Sequence, residues 1–429
     1  KMTYEETIEY LYNSVPMFQK VGAVAYKEGL ENTLILDEHF GHPYKKYKTI
    51  HIAGTNGKGS CSHTIAAILQ AAGYKVGLYT SPHIKDFRER IRVNGQCISK
   101  EYVIGFVQNE RHFFEPLHPS FFELTTAMAF KYFEECKVDI AVIEVGLGGR
   151  LDCTNIITPI LSVITNISFD HTQFLGDTLA KIAYEKAGII KNGIPVVIGE
   201  TTEETKPVFI SKSIEQNAKL IFAESENEII NAKSLTEGGI SYNTHTFGAL
   251  YGELGGLYQK MNTNTILCST KELIESGINI KKEDIKTGFA HVTEMTGLQG
   301  RWQKIKEHPT VICDTGHNVG GWKYLSKQLN MQKCKQMRIV FGMVDDKDVS
   351  TVISFLPSNA IYYFTKADNK RAINENEIKQ IGDAHRLKSK SFPNVKNAYQ
   401  QAIDDADKDD FIFVGGSSYI VADFLNDCV

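Results

Sequence analysis

The sequence lacks several features that would define its class at once. Its eight cysteines form no C-x-x-C pair and no metal-binding spacing, so reduced thiols of a cytoplasmic protein are expected. No apolar run approaches the roughly 20 residues of a membrane-spanning helix, and the polar N-terminal stretch lacks the apolar centre of a signal peptide. Acidic and basic residues are interspersed at a net charge of −4, so no basic stripe indicates nucleic-acid binding.

Short apolar strands alternate with amphipathic helices along most of the 429 residues. This alternation predicts an α/β fold with a doubly wound, mostly parallel sheet. Residues 200–260 are richer in polar β-formers and indicate a partly exposed sheet region. A glycine-rich break over 293–301 precedes a restart of the rhythm. We therefore predict an N-terminal domain over 1–296 and a smaller Rossmann-like α/β domain over 297–429.

The segment TIHIAGTNGKGS carries a glycine-rich loop between a strand and a helix. It departs from the P-loop spacing, because Ile52 stands where the first glycine belongs and Gly59 separates Lys58 from Ser60. Glycines let backbone N–H groups approach an anion, and the helix N-terminus attracts it. A plain glycine turn is the alternative, but the strand before and the helix after favour a phosphate site of the P-loop type.

Other polar residues follow strands, where ligands bind in such sheets. Glu144 ends the apolar strand AVIEVG, and a buried carboxylate there needs a cation or hydrogen-bond donors. His171 could hold a second metal, although a capping or packing histidine is more usual. Lys186 lies in the last turn of a helix, where a charge that favours the helix dipole is the simpler interpretation. Arg301 is equally compatible with phosphate binding across the domain boundary and with a surface charge.

Taken together, these segments resemble the Mur ligase superfamily and, within it, the folylpolyglutamate synthase/dihydrofolate synthase family. The resemblance covers nearly the whole chain, in order. It rests on the segments HIAGTNGKGS, YTSPHIKDFRERIRVNG, SFFELTTAMAF, IEVGLGGRLDCTN, FDHTQFLGDTLAKIAYEKAGIIK, GRW, DTGHN, DDKD and GGSSY. Peptidoglycan Mur ligases usually follow the loop lysine with threonine, so the Gly-Ser found here is more similar to the folate branch.

The resemblance implies an ATP-dependent ligase that adds L-glutamate to dihydropteroate or a folyl-glutamate through an acyl phosphate. It implies ATP binding by Gly54, Thr55, Asn56, Gly57, Lys58, Gly59, Ser60, Asn262, Arg301 and Asp314. Two Mg²⁺ sites would draw on Ser60, Ser81, Glu144 and His171. Pterin-bearing substrate would contact Phe87, Arg88 and Phe122, and glutamate would contact His317 and Ser417. The resemblance also reverses the interpretation of Lys186, because the family's equivalent lysine is carbamylated.

The chain departs from the family pattern in places. Tyr258 stands where the family has a histidine before the linker. The polar residues Asp314, His317 and Arg301 are kept, but Thr315-Gly316 and Gln299 beside them differ from the family pattern. Two alternatives stay open: a ligase of the same superfamily acting on a peptidoglycan precursor or an amino-acid polymer, and a nucleotide-dependent switch. The expected partners are small molecules, without nucleic acid or membrane, and the expected state is a monomer.

Overall fold

The computed structural model of the protein describes residues 1–14, 29–236, 238–345 and 349–429. The DDKD segment therefore lies outside the described residues after Asp345. The chain divides into two compact units. Unit 1 comprises Lys1–Lys233, Ser241–Glu253 and Lys260–Leu298, and unit 2 comprises Ser234–Ile240, Leu254–Gln259 and Gln299–Val429. Within the described ranges, no helix has the length and hydropathy needed to cross a bilayer.

Unit 1 contains an eight-stranded sheet in the order β4-β3-β2-β5-β1-β6-β7-β8. The strands are β1 (Lys48–Ala53), β2 (Val76–Tyr79), β3 (Ile91–Val93), β4 (Gln96–Cys97), β5 (Ile140–Glu144), β6 (Leu161–Ile164), β7 (Val196–Ile198) and β8 (Leu220–Phe222). Strands β2, β5, β1, β6, β7 and β8 pair in parallel, whereas β3 pairs antiparallel with both β2 and β4 at one edge. The predicted mostly parallel sheet is confirmed.

Helices cover this sheet. They are α1 (Tyr4–Ser14), α2 (Glu31–His39), α3 (Lys58–Ala71), α4 (Lys100–Phe114), α5 (Phe121–Glu135), α6 (Thr172–Leu175), α7 (Leu179–Ala187), α8 (Lys206–Glu215), α9 (Ala223–Glu226), α10 (Gln259–Glu275), α11 (Lys282–Ala290) and α12 (Val292–Thr296). Helix α3 is buried over most of its length because it packs between the sheet and α11. Helix α5 begins at Phe121 because Ser120 and Glu123 form a capping box.

The region 200–260 was predicted as a partly exposed sheet, and this is only partly correct. A three-stranded sheet is present, formed by β9 (Ile229–Ser234), β10 (Ile240–Thr244) and β11 (Gly248–Gly252). Strand β10 alternates buried and exposed residues, as a sheet with one solvated face should. However, Lys206–Glu215 forms helix α8 before it. The predicted break over 293–301 also begins later, because α12 continues to Thr296 and ends at Gly297, whose φ is 77°.

Unit 2 contains a six-stranded sheet in the order β12-β13-β17-β14-β15-β16. Its strands are β12 (Gln303–Lys306), β13 (Thr310–Asp314), β14 (Met337–Phe341), β15 (Ala360–Phe364), β16 (Lys388–Ser391) and β17 (Phe411–Gly415). All pair in parallel except β12. The helices are α13 (Val319–Asn330), α14 (Val349–Ser354), α15 (Glu375–Ala384), α16 (Val395–Asp405) and α17 (Ser418–Asp427). The predicted α/β architecture of this part is confirmed.

Candidate active site

The glycine-rich loop between β1 and α3 requires two of its glycines. Gly54 has φ 139° and Gly57 has φ 83°, conformations that disfavour residues with a Cβ. A Cβ on Gly54 would lie 1.9 Å from the Thr165 hydroxyl, and one on Gly57 would lie 2.3 Å from Oδ1 of Asn262. The structure therefore places the buried Asn262 directly against the loop, although the two are about two hundred positions apart in the sequence.

The segment that follows β6 supports the loop through Asn166 and Ser168. The Asn56 N–H donates to Oδ1 of Asn166 at 2.9 Å, and the Asn56 carbonyl accepts from the Asn166 amide at 3.0 Å. The Thr55 hydroxyl donates to the Ser168 carbonyl at 3.1 Å and accepts from the Ser168 N–H at 3.0 Å. These reciprocal bonds fix the loop shape. No local sequence pattern indicates this support.

Lys58 is the first residue of α3, at the helix end where backbone N–H groups attract anions. Its ammonium donates to the Val145 carbonyl at 3.2 Å. Ser60 follows in the first turn and is 1% exposed, while Gly59 between them is half-buried. The arrangement therefore holds a cation and the N-terminus of a 14-residue helix at the carboxyl edge of the sheet.

An alanine at Gly57 is expected to weaken nucleotide binding at least about tenfold. The left-handed backbone costs roughly 1 kcal/mol for a residue with a Cβ, and the new methyl group would also displace Asn262. Calorimetric titration with a non-hydrolysable ATP analogue and Mg²⁺ measures the effect. Gly73→Ala is the matched control, since Gly73 has φ 95° and open space around its Cβ position. Equal affinities in the two variants would refute the role of the Gly57 contact.

Glu144 ends β5 beside the loop and is 2% exposed. Its Oε2 accepts a hydrogen bond of 2.7 Å from the Ser81 N–H, which follows β2. Strands β2, β5 and β1 are adjacent and parallel, so the carboxylate, Ser81 and the glycine-rich loop meet at one edge of the sheet. This confirms the predicted position of Glu144 at the end of a buried strand.

Asp152 is a buried carboxylate in the same region that the sequence reasoning did not assign. Its Oδ1 accepts from the N–H groups of Gly146 and Leu147, at 3.1 and 2.9 Å. Burial raises the pKa of Asp152, while hydrogen bonds from Thr154 and Leu147 and the charge of Lys58 oppose the rise. Asp152 thus holds the glycine-rich turn that follows Glu144. Its place two residues after GLGGR was the available signal.

The same turn packs closely against helix α7, which carries Lys186. A Cβ on Gly149 would lie 3.0 Å from the Lys186 carbonyl oxygen, and one on Gly188 would lie 2.4 Å from Cα of Arg150. The Asn155 amide bridges the two segments by donating to the carbonyls of Arg150 and Gly188, both at 3.0 Å. Glycines at these two positions therefore allow the turn after Glu144 and the end of α7 to be joined tightly.

Lys186 is 3% exposed, so the interpretation as a solvated helix-end charge is wrong. Burial, together with the positive charge of Lys58, lowers the pKa of Lys186 from 10.5 to about 7. The carboxylates of Asp170 and Asp152 partly oppose this shift. About half of the Lys186 amines are therefore neutral near pH 7.

His171 adopts a left-handed backbone with φ 49° at the N-cap of α6, so the capping alternative describes its main chain. Its N–H donates to Oδ1 of Asp170 at 2.9 Å, and its Nε2 lies 3.7 Å from the same oxygen. The imidazole is 31% exposed. A metal role for His171 stays a prediction.

The donor set suits Mg²⁺ rather than a metal with a complete protein cage. The described residues contain no cluster of three His, Cys, Asp or Glu side chains arranged to hold a metal. Mg²⁺ usually takes one or two protein carboxylates and completes its shell with substrate phosphates and water. A buried Glu144 carboxylate near Ser60 and Ser81 agrees with that chemistry.

The three predicted pterin contacts differ in exposure. Phe87 is 1% exposed and packs edge-on against Phe121, so its burial in the hydrophobic core does not support a direct substrate contact. Arg88 is partly exposed, and its guanidinium is held by Asp86 at 3.2 Å. Phe122 is half-buried, with its ring beside Gly146 in the turn after Glu144.

Unit 2 carries its own polar cluster after β13. The buried Asp314 accepts from the Tyr258 hydroxyl at 2.5 Å, the Trp302 N–H at 2.8 Å and the Gly316 N–H at 2.8 Å. Burial raises the pKa of Asp314, and the charge of Arg301 opposes the rise. The tyrosine that replaces the expected histidine thus still supplies a polar atom, which binds Asp314.

The two residues predicted to bind the substrate L-glutamate, His317 and Ser417, lie just after β13 and β17. Ser417 is 3% exposed and caps α17, because its hydroxyl accepts from the Ile420 N–H at 3.1 Å. His317 is half-buried and directly precedes Asn318, the N-cap of α13. Both residues therefore sit at a strand-to-helix junction on the binding edge of this sheet.

Cys61, which lies beside the glycine-rich loop, is a packing residue rather than a nucleophile. Its side chain is completely buried in α3, and burial raises the pKa of the Cys61 thiol above its usual value. A thiol held protonated in this way is a poor nucleophile.

Comparison with known proteins agrees with this architecture. Residues 52–255 match the Mur ligase middle domain, and residues 300–418 match the Mur ligase, glutamate ligase domain. A dihydrofolate synthase/folylpolyglutamate synthase of Bacillus subtilis is 34% identical over 411 residues, covering 92% of this chain and 94% of the relative.

Solved structures give the same result. The structure of E. coli FolC in complex with DHPP and ADP has a TM-score of 0.84 at 30% identity, covering 99% of this chain and 97% of the other. A bifunctional folylpolyglutamate synthase/dihydrofolate synthase with Mn, AMPPNP and L-glutamate bound has a TM-score of 0.82 at 30% identity, covering 99% and 98%. The chain belongs to the folylpolyglutamate synthase/dihydrofolate synthase family of Mur ligases.

Proposed function

We propose that the protein ligates L-glutamate to the carboxylate of dihydropteroate, of a (tetrahydro)folyl-glutamate, or of both, and converts ATP to ADP and phosphate. The observation that carries this proposal is the single edge of unit 1 where Lys58, at the start of α3, lies beside the turn that follows Glu144. That edge joins an anion site to a buried carboxylate, as transfer of a phosphoryl group requires. The names of the relatives supply the substrate class.

The reaction proceeds in two steps. A carboxylate oxygen of the folate-type substrate attacks the γ-phosphorus of ATP, the bond to the β-γ bridging oxygen breaks, and ADP leaves. The amine of glutamate then attacks the acyl carbon, phosphate leaves, and a proton is released as the amide forms. Neither step uses a covalent bond to the protein, so positioning and charge neutralisation supply the catalysis. Lys58 and the loop N–H groups would hold the phosphates.

A second set of residues near this edge fits a divalent cation. Ser60, Ser81, Glu144 and His171 would hold Mg²⁺ at two sites. The metal supplies charge neutralisation for the phosphate oxygens when it is bound. The hydrogen bond of 2.7 Å from the Ser81 N–H holds one oxygen of Glu144.

Carbamylation of Lys186 is the third part of the proposal. The neutral amine attacks CO₂, an N–C bond forms, and a proton is released, which leaves a carbamate anion. A pKa of about 7 supplies that neutral amine at physiological pH, which an ordinary lysine does not. The charge of Lys58, which lowers this pKa, would also favour the resulting anion.

The remaining assignments rest on the family resemblance and on the polar clusters described. Residues 1–296 would form the ATP-binding domain with the folate-binding loops, and 297–429 the glutamate-binding domain. Asn262, Arg301 and Asp314 would bind ATP. Phe122 and Arg88 would contact the pterin, and Phe87 would support them from the core. His317 and Ser417 would bind the substrate glutamate. We propose a cytoplasmic monomer.

An assay of ADP release tests the function. Purified protein receives ATP and Mg²⁺ with dihydropteroate or tetrahydrofolate, each with and without L-glutamate. We expect ADP release to require both the folate-type compound and glutamate, and the two acceptors separate the two activities. Release only with a UDP-muramyl acceptor would support a peptidoglycan ligase instead. Slow hydrolysis that ignores every acceptor would support a nucleotide switch.

A further inference from the structure

A histidine lies at the centre of the large sheet. His51 is fully buried in β1, with Ile143 of β5 on one side and Ser162 of β6 on the other. Burial lowers the pKa of His51 from 6.5 to about 3, so the imidazole is neutral at physiological pH. A neutral imidazole has one N–H donor and one acceptor. A polar ring among apolar strands is costly unless its hydrogen bonds are used.

The hydrogen bonds of His51 have a defined direction. Its Nε2 lies 2.8 Å from the Thr154 hydroxyl, and that hydroxyl donates to Oδ2 of Asp152 at 2.5 Å. Because the hydroxyl has a single proton, Nε2 of His51 must be the donor to Thr154. The other ring nitrogen, Nδ1, then carries no proton, and none of the described residues forms a hydrogen bond to it. Thr154 is therefore fixed from two sides.

Asp152 passes this constraint to two successive peptide groups, those of the Gly146 and Leu147 N–H, and the first of them leads to Lys58. Its Oδ1 accepts from the Gly146 N–H at 3.1 Å. The N–H and C=O of one trans peptide point in opposite directions. The carbonyl of that same peptide belongs to Val145 and accepts from the Lys58 ammonium at 3.2 Å. An unbroken chain of hydrogen bonds thus leads from His51, inside the sheet, to Lys58.

We propose that His51 and Thr154 are positioning residues for nucleotide binding. They orient Asp152, Asp152 orients the Val145–Gly146 peptide, and its carbonyl holds the Lys58 ammonium at the start of α3 before a phosphate arrives. A lysine that is already ordered loses less conformational freedom on binding. The inference rests on the proposed phosphate-binding role of Lys58.

Thr154→Val tests the chain because it keeps the shape of the side chain and removes the hydroxyl. We expect calorimetry with AMPPNP and Mg²⁺ to show a dissociation constant about tenfold higher than that of the unchanged protein. The KM for ATP should rise more than kcat falls. Thr154→Ser keeps the hydroxyl and should bind as the unchanged protein does.

Ser162→Ala is the matched control for a loss of structure alone. Ser162 pairs with His51 across the neighbouring strand, is fully buried, and donates to the Ile189 carbonyl at 2.9 Å. This variant should lose a similar amount of thermal stability and keep its affinity for AMPPNP. Equal affinities of Thr154→Val and Ser162→Ala would overturn the proposal.

His51→Val gives a second, independent measurement, which tests the proposal even if Thr154→Val does not fold. Its affinity for AMPPNP should fall, while its melting temperature should hold or rise because an unpaired buried acceptor is removed. The double variant should bind as weakly as one single variant, since both act through Asp152. Fully additive losses, or an unchanged affinity, would refute the chain. If the unchanged protein itself binds no AMPPNP, the proposed function fails instead.

Discussion

The Glu144→Gln variant is expected to release ADP at least about a thousandfold more slowly than the unchanged protein while remaining folded. The substitution keeps the shape of the side chain and removes its negative charge. Glu144 is 2% exposed and one of its oxygens accepts from the Ser81 N–H at 2.7 Å, so the charge that the substitution removes is a buried one. Removing one preorganised electrostatic group from a dry site typically costs 10²- to 10³-fold in rate, and loss of the metal adds to that.

Rates measured across a Mg²⁺ titration, with circular dichroism for the fold, check this result. Glu228→Gln is the matched control. Glu228 is also 2% exposed and accepts from the Thr246 N–H at 3.1 Å and its hydroxyl at 2.9 Å, in the small sheet region of unit 1. It should retain its activity. A Glu144→Gln protein that turns over at the normal rate would contradict the metal role.

The fold was predictable because its signals are local. Alternating apolar strands and helices predict the mostly parallel sheets that the structure confirms. The loop was recognisable because its two strained glycines, Gly54 and Gly57, lie next to Lys58 in the sequence. The position of Glu144 followed from one acidic residue at the end of an apolar strand.

The supporting contacts were not predictable because each joins distant parts of the chain. Asn56 and Asn166 are 110 residues apart, and no local pattern pairs them. Tyr258 replaces the histidine that the family pattern predicts, and its hydroxyl donates to Asp314, which lies 56 positions further along the chain. The burial of His51 was implied by its strand, but its partner Thr154 lies 103 residues further on.

Lys186 shows the same limit most clearly, since local physics gave the wrong answer there. A lysine in the last turn of a helix normally extends into water and interacts with the helix dipole. In the structure the GLGGR turn packs tightly on the end of α7 through Gly149 and Gly188, and Lys186 is 3% exposed. Only the tertiary structure contains that information, whereas the family resemblance supplied it indirectly.

We expect Lys186→Ala to lose at least about a hundredfold in rate and to regain part of it when formate or acetate is added. The variant lacks the nitrogen that would bind CO₂, and a short carboxylate can occupy the space and restore the negative charge. The loss corresponds to roughly 3 kcal/mol of transition-state stabilisation. Initial rates of ADP release over a series of carboxylate concentrations measure the recovery.

The pH dependence tests the same group in the unchanged protein. Because the pKa of Lys186 is lowered to about 7, its amine is mostly neutral above that pH and mostly charged below it. Carbamylation, detected with ¹³C-labelled CO₂ by NMR, should therefore fall as the pH is lowered through 7. Lys191→Ala is the matched control, since burial lowers the pKa of Lys191 too and its amine donates to the Asn155 carbonyl at 3.4 Å. A normal rate of ADP release by Lys186→Ala would contradict the carbamate. So would a loss of rate that carboxylates do not reverse and that Lys191→Ala shows as well.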